Sequence, residues 1–268
     1  MKSSFPIGVF DSGIGGLTVA CAINKLLPQE QLIYFGDTAH LPYGDKSTAA
    51  IQAYTIKVCD VLLKQHVKVI VIACNSASSS AYDLAKAYVG SRAIVINVID
   101  PLIKYVSENF ESVRIGLIGT KRTVHSNVYK SKIDLLNKNI DLVSLSTPLL
   151  APMIEEGFYE NKISKHIVSE YLNHLTLKGI NSLILGCTHY PLIKDEINTF
   201  YQGKINVLDS SEIIANHLVD VLKENNLVSH SLERQHEFFV SDFTLSFQKS
   251  TEQFFGQSVV LQLYKLWE

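Results

Sequence analysis

Short apolar runs alternate with longer amphipathic stretches along the chain. The apolar runs are rich in β-branched and aromatic side chains, as buried parallel strands are; in the first half they are residues 7–10, 31–35, 67–73 and 93–98. Between them, residues 48–65 and 76–88 carry apolar positions at helical spacing. This alternation predicts a doubly wound α/β fold with parallel sheets.

The second half of the chain restarts the same pattern. Its strand-like runs are residues 113–118, 140–145, 182–185 and 204–208, followed by a helix-like run at 211–223 and two further strand-like runs at 236–240 and 259–263. Strands end at Asp11 and Cys74 in the first half, and at Thr120 and Cys187 in the second. If the halves face each other, this weak repeat brings both cysteines to one cleft at the carboxyl ends of the strands.

The composition argues against several classes of partner and location. The chain has 268 residues, of which 47% are hydrophobic and 19% charged, and its formal net charge is -2. Because no basic block is present, we expect neither a nucleic-acid nor a membrane partner. The first apolar run is too short for a signal peptide, so we expect a cytoplasmic protein. The four cysteines form no CxxC pair, which favours free thiols.

Two cysteines follow buried strands and precede helix starts. Cys74, in the segment ACNSAS at 73–78, adjoins free backbone N–H groups that favour the thiolate form. Cys187, in GCTHYP at 186–191, has His189 two residues later and Pro191 at a favourable position in the first helical turn. Taken singly, each cysteine also fits a structural role at a strand end. Two copies of the arrangement in one chain favour chemistry.

The glycine-rich segment DSGIGG at residues 11–16 invites a dinucleotide-binding interpretation. The third glycine of that motif would fall at Thr18, and Asp11 would place negative charge beside the pyrophosphate. Asp37, after the second strand, imitates a ribose-binding acid, so this alternative stays open. An acid at Asp11 better suits a ligand ammonium group or proton transfer.

The remaining candidates are weaker. The turn at residues 41–44 has two interpretations, a plain turn or a flap in which Tyr43 and Gly44 touch a ligand. Cys21 and Cys59 lie in helix-like segments and are interpreted as packing residues. The histidines show no metal-binding spacing, and no Schiff-base lysine is identifiable. Catalysis without a cofactor is therefore the hypothesis.

Four segments together resemble the glutamate racemase family: DSGIGG at 11–16, PYG at 42–44, ACNSAS at 73–78 and GCTHYP at 186–191. The resemblance implies two pseudo-symmetric α/β domains with the active site in the cleft between them. Residues 1–98 plus 209–268 would form the first domain and residues 99–208 the second. It further implies interconversion of L- and D-glutamate for peptidoglycan synthesis, in a bacterial cytoplasm and as a homodimer.

The resemblance also implies residue roles. Cys74 and Cys187 would transfer protons on the D and L enantiomers respectively, with Asp11 assisting Cys74 and His189 assisting Cys187. The substrate contacts would be Asp11, Ser12, Tyr43, Gly44, Asn75, Ser76, Thr188 and His189. Glu155 matches an acidic residue that supports the histidine in some relatives only loosely. Ser76 replaces a common threonine but keeps the hydroxyl, and residues 239–242 match too poorly for any assignment.

Three alternatives stay open. The nearest rival is a racemase for another amino acid such as aspartate; the GCTHYP segment favours glutamate, and comparing turnover of the two substrates would decide. A small-ligand binding protein would bind glutamate without exchanging its α-proton. A metal site built from Cys74, Cys187 and His189 would retain metal through purification.

Overall fold

The computed structural model describes residues 1–230 and 235–268. Its ten strands coincide with the ten predicted runs to within a few residues at each end. They are β1 Ile7–Asp11, β2 Leu32–Gly36, β3 Val69–Ile72, β4 Ile94–Asn97, β5 Arg114–Gly119, β6 Asp141–Ser146, β7 Ser182–Gly186, β8 Asn206–Asp209, β9 Glu237–Val240 and β10 Leu261–Leu263.

Eleven α-helices in the described part of the chain connect and cover these strands. They are α1 Leu17–Leu26, α2 Thr48–Lys64, α3 Asn75–Val89, α4 Ile99–Asn109, α5 Lys121–His125, α6 Val128–Asp134, α7 Leu150–Glu155, α8 Lys162–Leu172, α9 Lys194–Phe200, α10 Ser210–Glu224 and α11 Leu245–Phe255. The predicted helix start after Cys187 is a 3-10 turn, Tyr190–Ile193, with Pro191 in its first turn, and it runs directly into α9.

The strands form two parallel sheets with the same internal order. The first sheet runs β10-β9-β2-β1-β3-β4 and the second β6-β5-β7-β8. The order β2-β1-β3-β4 therefore recurs as β6-β5-β7-β8, and every recorded strand pair is parallel. The prediction of an α/β fold with two doubly wound parallel sheets is confirmed. The repeat seen along the sequence corresponds to this repeated strand order.

Burial explains why these segments adopt their conformations. Every residue of β1, β2, β3 and β7 is buried, as expected for strands covered by helices on both faces. The amphipathic helix α2 begins where the Ser47 side chain accepts a hydrogen bond from the Ala50 N–H. Cys59 is fully buried in the core, and Cys21 is half-buried against it, which agrees with packing roles. No helix in residues 1–230 and 235–268 is long and apolar enough to cross a membrane.

A buried ion pair ties distant segments to the first sheet. Lys68, just before β3, places its Nζ 2.5 Å from Glu30 Oε2, and both side chains are fully buried. The same ammonium donates to the carbonyl oxygens of Ser3 and Leu227. Because removing one partner would leave a buried charge uncompensated, this pair contributes to keeping the first sheet intact.

Candidate active site

A cavity lies between the carboxyl ends of the two sheets. It follows β1, β3, β5 and β7, where open parallel sheets bind ligands. Its walls are Ser12, Gly13, Leu41, Pro42, Tyr43, Gly44, Cys74, Asn75, Ser76, Thr120, Ala151, Pro152, Glu155, Gly186, Cys187, Thr188 and His189. All the predicted site residues are among them except Asp11, which lies behind the wall with no exposed surface.

Cys74 is the N-terminal capping residue of α3. Its sulfur accepts a hydrogen bond from the Ala77 N–H at 3.4 Å, and its thiol reaches Ser12 Oγ at 3.5 Å. Burial, with a smaller contribution from nearby Asp11, raises the pKa of Cys74 to about 12, and the hydrogen bonds with Ser12 and Ala77 only partly oppose them. The N–H group at the helix start thus favours the thiolate, as expected, but desolvation outweighs it.

Cys187 lies in a buried chain of polar groups. Its sulfur is 3.6 Å from Nδ1 of His189, whose Nε2 is 3.3 Å from Oε2 of Glu155. Burial alone lowers the pKa of His189, but Glu155 and the hydrogen bond with Cys187 outweigh it and raise this pKa well above its usual range. A protonated imidazole between a carboxylate and a sulfur favours the thiolate form of that sulfur.

The carboxylate of Asp11 binds the backbone of the glycine-rich segment. Its Oδ2 accepts hydrogen bonds from the N–H groups of Gly13 and Gly16, at 3.1 and 3.0 Å. Its Oδ1 is buried without a partner. Burial raises the pKa of Asp11, while His189 and the two N–H groups lower it. Asp11 is therefore an acid held close to both sides of the site.

Small residues let the two halves approach closely. A Cβ at Gly15 would lie 2.5 Å from Cε1 of His189, and one at Gly44 would lie 2.8 Å from Cβ of Thr120. Real Cβ atoms do not approach so closely, so both positions need glycine. Gly15 thus admits the opposite half of the protein. His189 and Thr188 already occupy the space against Gly15, so the dinucleotide interpretation is not supported.

Hydroxyl and amide groups from the two halves meet beside Cys74. Ser76 Oγ is 2.9 Å from Thr120 Oγ1. Asn75 Oδ1 accepts a hydrogen bond from the Tyr129 hydroxyl at 2.7 Å, which leaves its buried Nδ2 without a partner. Buried donors and acceptors are nearly always paired, so an unpaired donor at a cavity wall points to a missing ligand.

Tyr43 lines the cavity with its hydroxyl bound to an acid of the first sheet's half. The residue is buried, and its hydroxyl donates to Oδ2 of Asp37 at 2.7 Å. Burial and the neighbouring Asp37 raise the pKa of Tyr43 far above its usual range, so the phenol remains a donor. Within the cavity, residues 43 and 44 therefore offer backbone and ring surface.

Sequence reasoning missed Thr120 as a wall residue and made only a loose match for Glu155. Thr120 follows β5 at the position that corresponds to Ser12 after β1, so the internal repeat contained a signal for it. Glu155 ends the short helix α7, and nothing in its local sequence distinguishes it from solvent-facing Glu156. Within residues 1–230 and 235–268, no three His, Cys, Asp or Glu side chains converge in a way that would hold a metal ion. The metal-site alternative is not supported.

The arrangement suits proton transfer at a carbon atom. Two thiols from matching strand ends line one buried cavity, and buried polar groups surround them. The fold and the site are those of an amino-acid racemase of the two-sheet α/β type. Residues 16–218 match the Asp/Glu/Hydantoin racemase family, and the chain belongs to that family.

The individual proteins that this chain resembles are glutamate racemases, which are a narrower class than the matched family. The chain is 39% identical to glutamate racemase 3 of Caldanaerobacter subterraneus subsp. tengcongensis, over 91% of this chain and 88% of that one. It is equally 39% identical to glutamate racemase of Neisseria meningitidis, over 95% and 94%. The crystal structure of Francisella tularensis glutamate racemase with D-glutamate matches it with a TM-score of 0.91, at 38% identity and 98% coverage of both chains.

Aspartate racemases share the architecture at a greater distance. The Picrophilus torridus aspartate racemase matches with a TM-score of 0.58 and 20% identity. In the two such structures compared, the match covers 82–83% of this chain. A likeness at that level indicates the fold alone.

Proposed function

We propose that this protein interconverts L-glutamate and D-glutamate by moving protons with Cys74 and Cys187. The observation that carries the proposal is the placement of these two thiols, at corresponding strand ends of a repeated topology, in the walls of one cavity. Glutamate as the substrate is supported by glutamate racemases at 37–41% identity and by the D-glutamate bound to the Francisella enzyme.

The electrostatics of the site favour a definite starting state. Cys74, whose pKa is raised by burial, begins as the thiol. In the direction from L- to D-glutamate Cys187, whose sulfur lies 3.6 Å from Nδ1 of His189, therefore acts as the base. Cys187 then removes the α-proton of L-glutamate, and the electron pair stays on the α-carbon. Cys74 returns its own proton to the opposite face. The product is D-glutamate, with Cys187 now a thiol and Cys74 a thiolate, which is the state that accepts the reverse substrate.

The polar groups of the walls have proposed roles in binding. The unpaired Nδ2 of Asn75 and the hydroxyls of Ser12, Ser76 and Thr188 would donate to substrate carboxylates. Oriented donors in a closed site stabilise the carbanion-like transition state without reorganising. Asp11 would assist Cys74 and provide negative charge for the substrate ammonium group from behind the cavity wall. His189 would assist Cys187, and residues 43 and 44 would cover the substrate.

The wider context is also proposed. Residues 1–98 plus 209–268 would form one domain and residues 99–208 the other, in keeping with the membership of the two sheets. The protein would work in the cytoplasm as a homodimer without a cofactor, supplying D-glutamate for peptidoglycan.

Incubation of purified protein with L-glutamate in heavy water tests the function. The reaction contains a metal chelator and no pyridoxal phosphate. We expect loss of optical activity together with deuterium at the α-carbon, and far slower reaction with L-aspartate. Glutamate that binds without exchange would refute racemisation and favour a binding protein. Faster turnover of L-aspartate than of L-glutamate would identify aspartate as the substrate instead.

A further inference from the structure

Asp37 is a buried acid that the proton-transfer scheme does not use. It has no exposed surface and follows β2 at the end of the first sheet. Its Oδ1 accepts hydrogen bonds from Ser241 Oγ at 2.7 Å and from Trp267 Nε1 at 2.8 Å. Its Oδ2 accepts one from the Tyr43 hydroxyl at 2.7 Å, and His40 Nδ1 lies 3.0 Å away. One carboxyl group thus joins three separate parts of the chain.

Those parts are the loop that covers the cavity, the turn after β9 and the segment after β10. The turn after β9 is further fastened to the loop, because Thr38 Oγ1 donates to the Asp242 carbonyl at 2.6 Å and accepts from the Asp242 N–H at 2.8 Å. Ser241 Oγ also accepts from the Ala39 N–H at 3.0 Å. The poorly matching segment 239–242 therefore contacts the start of the loop.

Trp267 is the only tryptophan in the chain and makes a directed contact. An indole N–H can only donate, so its bond to Asp37 requires an acceptor at that atom. The ring is half-buried and packs edge-on against His40 and Tyr54, with centroids 4.4 and 5.3 Å away. Trp267 does not line the cavity and does not contact either cysteine.

The same loop is held from the other side by the second sheet's half. Arg122 donates to the Lys46 carbonyl through Nε and Nη2, at 3.0 and 2.7 Å, and Gly44 packs against Thr120. Of the residues in this loop that line the cavity, Tyr43 is the one whose side chain is bound to the first sheet through Asp37. The Tyr43–Asp37 bond thus links the part of the loop that lines the cavity to the first sheet.

We propose that Asp37 is a positioning residue that fixes residues 41–44 over the substrate through Tyr43, and that Trp267 and Ser241 fix Asp37 in turn. The inference rests on the proposed racemase function, since it assigns these residues to substrate binding in that reaction. Groups behind the contacting residues act by locking their orientation, and their loss affects binding more than the chemical step.

A double-mutant cycle in the full-length protein tests this assignment. The variants are Trp267→Phe, which keeps a ring but removes the N–H, Tyr43→Phe, which removes only the hydroxyl, and the combination. Lys265→Ala is the matched control, because this exposed residue on the same segment pairs only with Glu268 in the described contacts. For each protein, KM and kcat for L- and D-glutamate are measured together with the melting temperature.

Each single variant should raise KM about five- to tenfold and leave kcat within about twofold, which is the effect of losing one typical hydrogen bond worth about 1–1.4 kcal/mol. The double variant should be no worse than the poorer single variant, since both act through Asp37. The control should match the wild type. Multiplying effects on KM, or a lower melting temperature with KM unchanged, would overturn the inference. A wild-type protein that does not turn over glutamate would instead refute the proposed function.

The single tryptophan provides a second readout that does not depend on turnover. Binding of D-glutamate should change the emission of Trp267 in the wild type and in Lys265→Ala, because substrate contact with Tyr43 alters the hydrogen bonds at the Asp37 carboxylate that Trp267 shares. The change should be absent in Tyr43→Phe at saturating D-glutamate. A full emission change in Tyr43→Phe would overturn the inference.

Discussion

Replacing Glu155 by glutamine should separate the electrostatic role of the His189–Glu155 pair from its packing role. The two groups are 3.3 Å apart, and their side chains are only 8% and 10% exposed. At an effective dielectric of about 20, unit charges at that separation attract by about 5 kcal/mol. Desolvation offsets much of this, and about 1.5–3 kcal/mol is typical for a hydrogen bond to a charged group. The variant should therefore lose about ten- to hundredfold in kcat/KM.

The loss should depend on pH. With Glu155 neutralised, burial lowers the pKa of His189, so the imidazole is no longer protonated near neutrality and the thiolate form of Cys187 is less stabilised. The deficit in rate should narrow as the pH rises through the raised pKa of His189, because the wild-type protein then loses the imidazolium as well. Stability follows the same linkage. A raised histidine pKa contributes stability that is fully present below about pH 6.5 and is lost as the pH rises through the folded value.

Circular dichroism at several pH values measures racemisation in both directions. Because the two enantiomers have equal free energy in water, kcat/KM must fall by the same factor each way, which checks the data internally. Glu156→Gln, the exposed neighbouring position, is the matched control and should behave as wild type. An equal effect of both variants, or a deficit that is constant with pH, would refute the electrostatic explanation.

Three further outcomes are expected. Cys74→Ser should reduce racemisation at least about a thousandfold in both directions with an unchanged melting temperature, since the residue caps a helix at a polar strand end; unfolding would favour a structural role. Gly15→Ala should destabilise the protein by about 1–3 kcal/mol and lower activity, because its Cβ meets His189, and urea unfolding with a rate assay checks both. Lys68→Met should cost about 3–5 kcal/mol in urea unfolding by leaving Glu30 unpaired, whereas KM for glutamate stays at the wild-type value; a loss of less than about 1 kcal/mol would contradict the argument.

The sequence was sufficient where local pattern and topology act together. Apolar runs located all ten strands, and the rule that parallel strands share a carboxyl edge placed Cys74 and Cys187 at one cavity. The glycines of segment 11–16 could be recognised in the sequence, but the reason that glycine is needed there could not be predicted. Only the folded chain brings His189 against Gly15, so the close approach has no signal in the motif itself.

Interactions between distant residues were beyond such reasoning. The donors to Asp37 include Ser241 and Trp267, which are 204 and 230 positions away along the chain. The protonation preference of Cys74 depends on what covers it, and the covering groups come from other elements, so the helix start alone did not predict the net direction. Charge and burial of this kind arise only when the two halves close on each other.

The repeated strand order has a consequence for stereochemistry. A planar carbanion has two equivalent faces, and a pair of acid–base groups related by an approximate twofold axis presents one such group to each face. The order β2-β1-β3-β4 repeated as β6-β5-β7-β8 places Cys74 and Cys187 at corresponding strand ends without any symmetry in the substrate. The rest of the substrate must then be recognised by groups that differ between the two halves. One such difference is Asp11, whose counterpart at the end of β5 is Gly119.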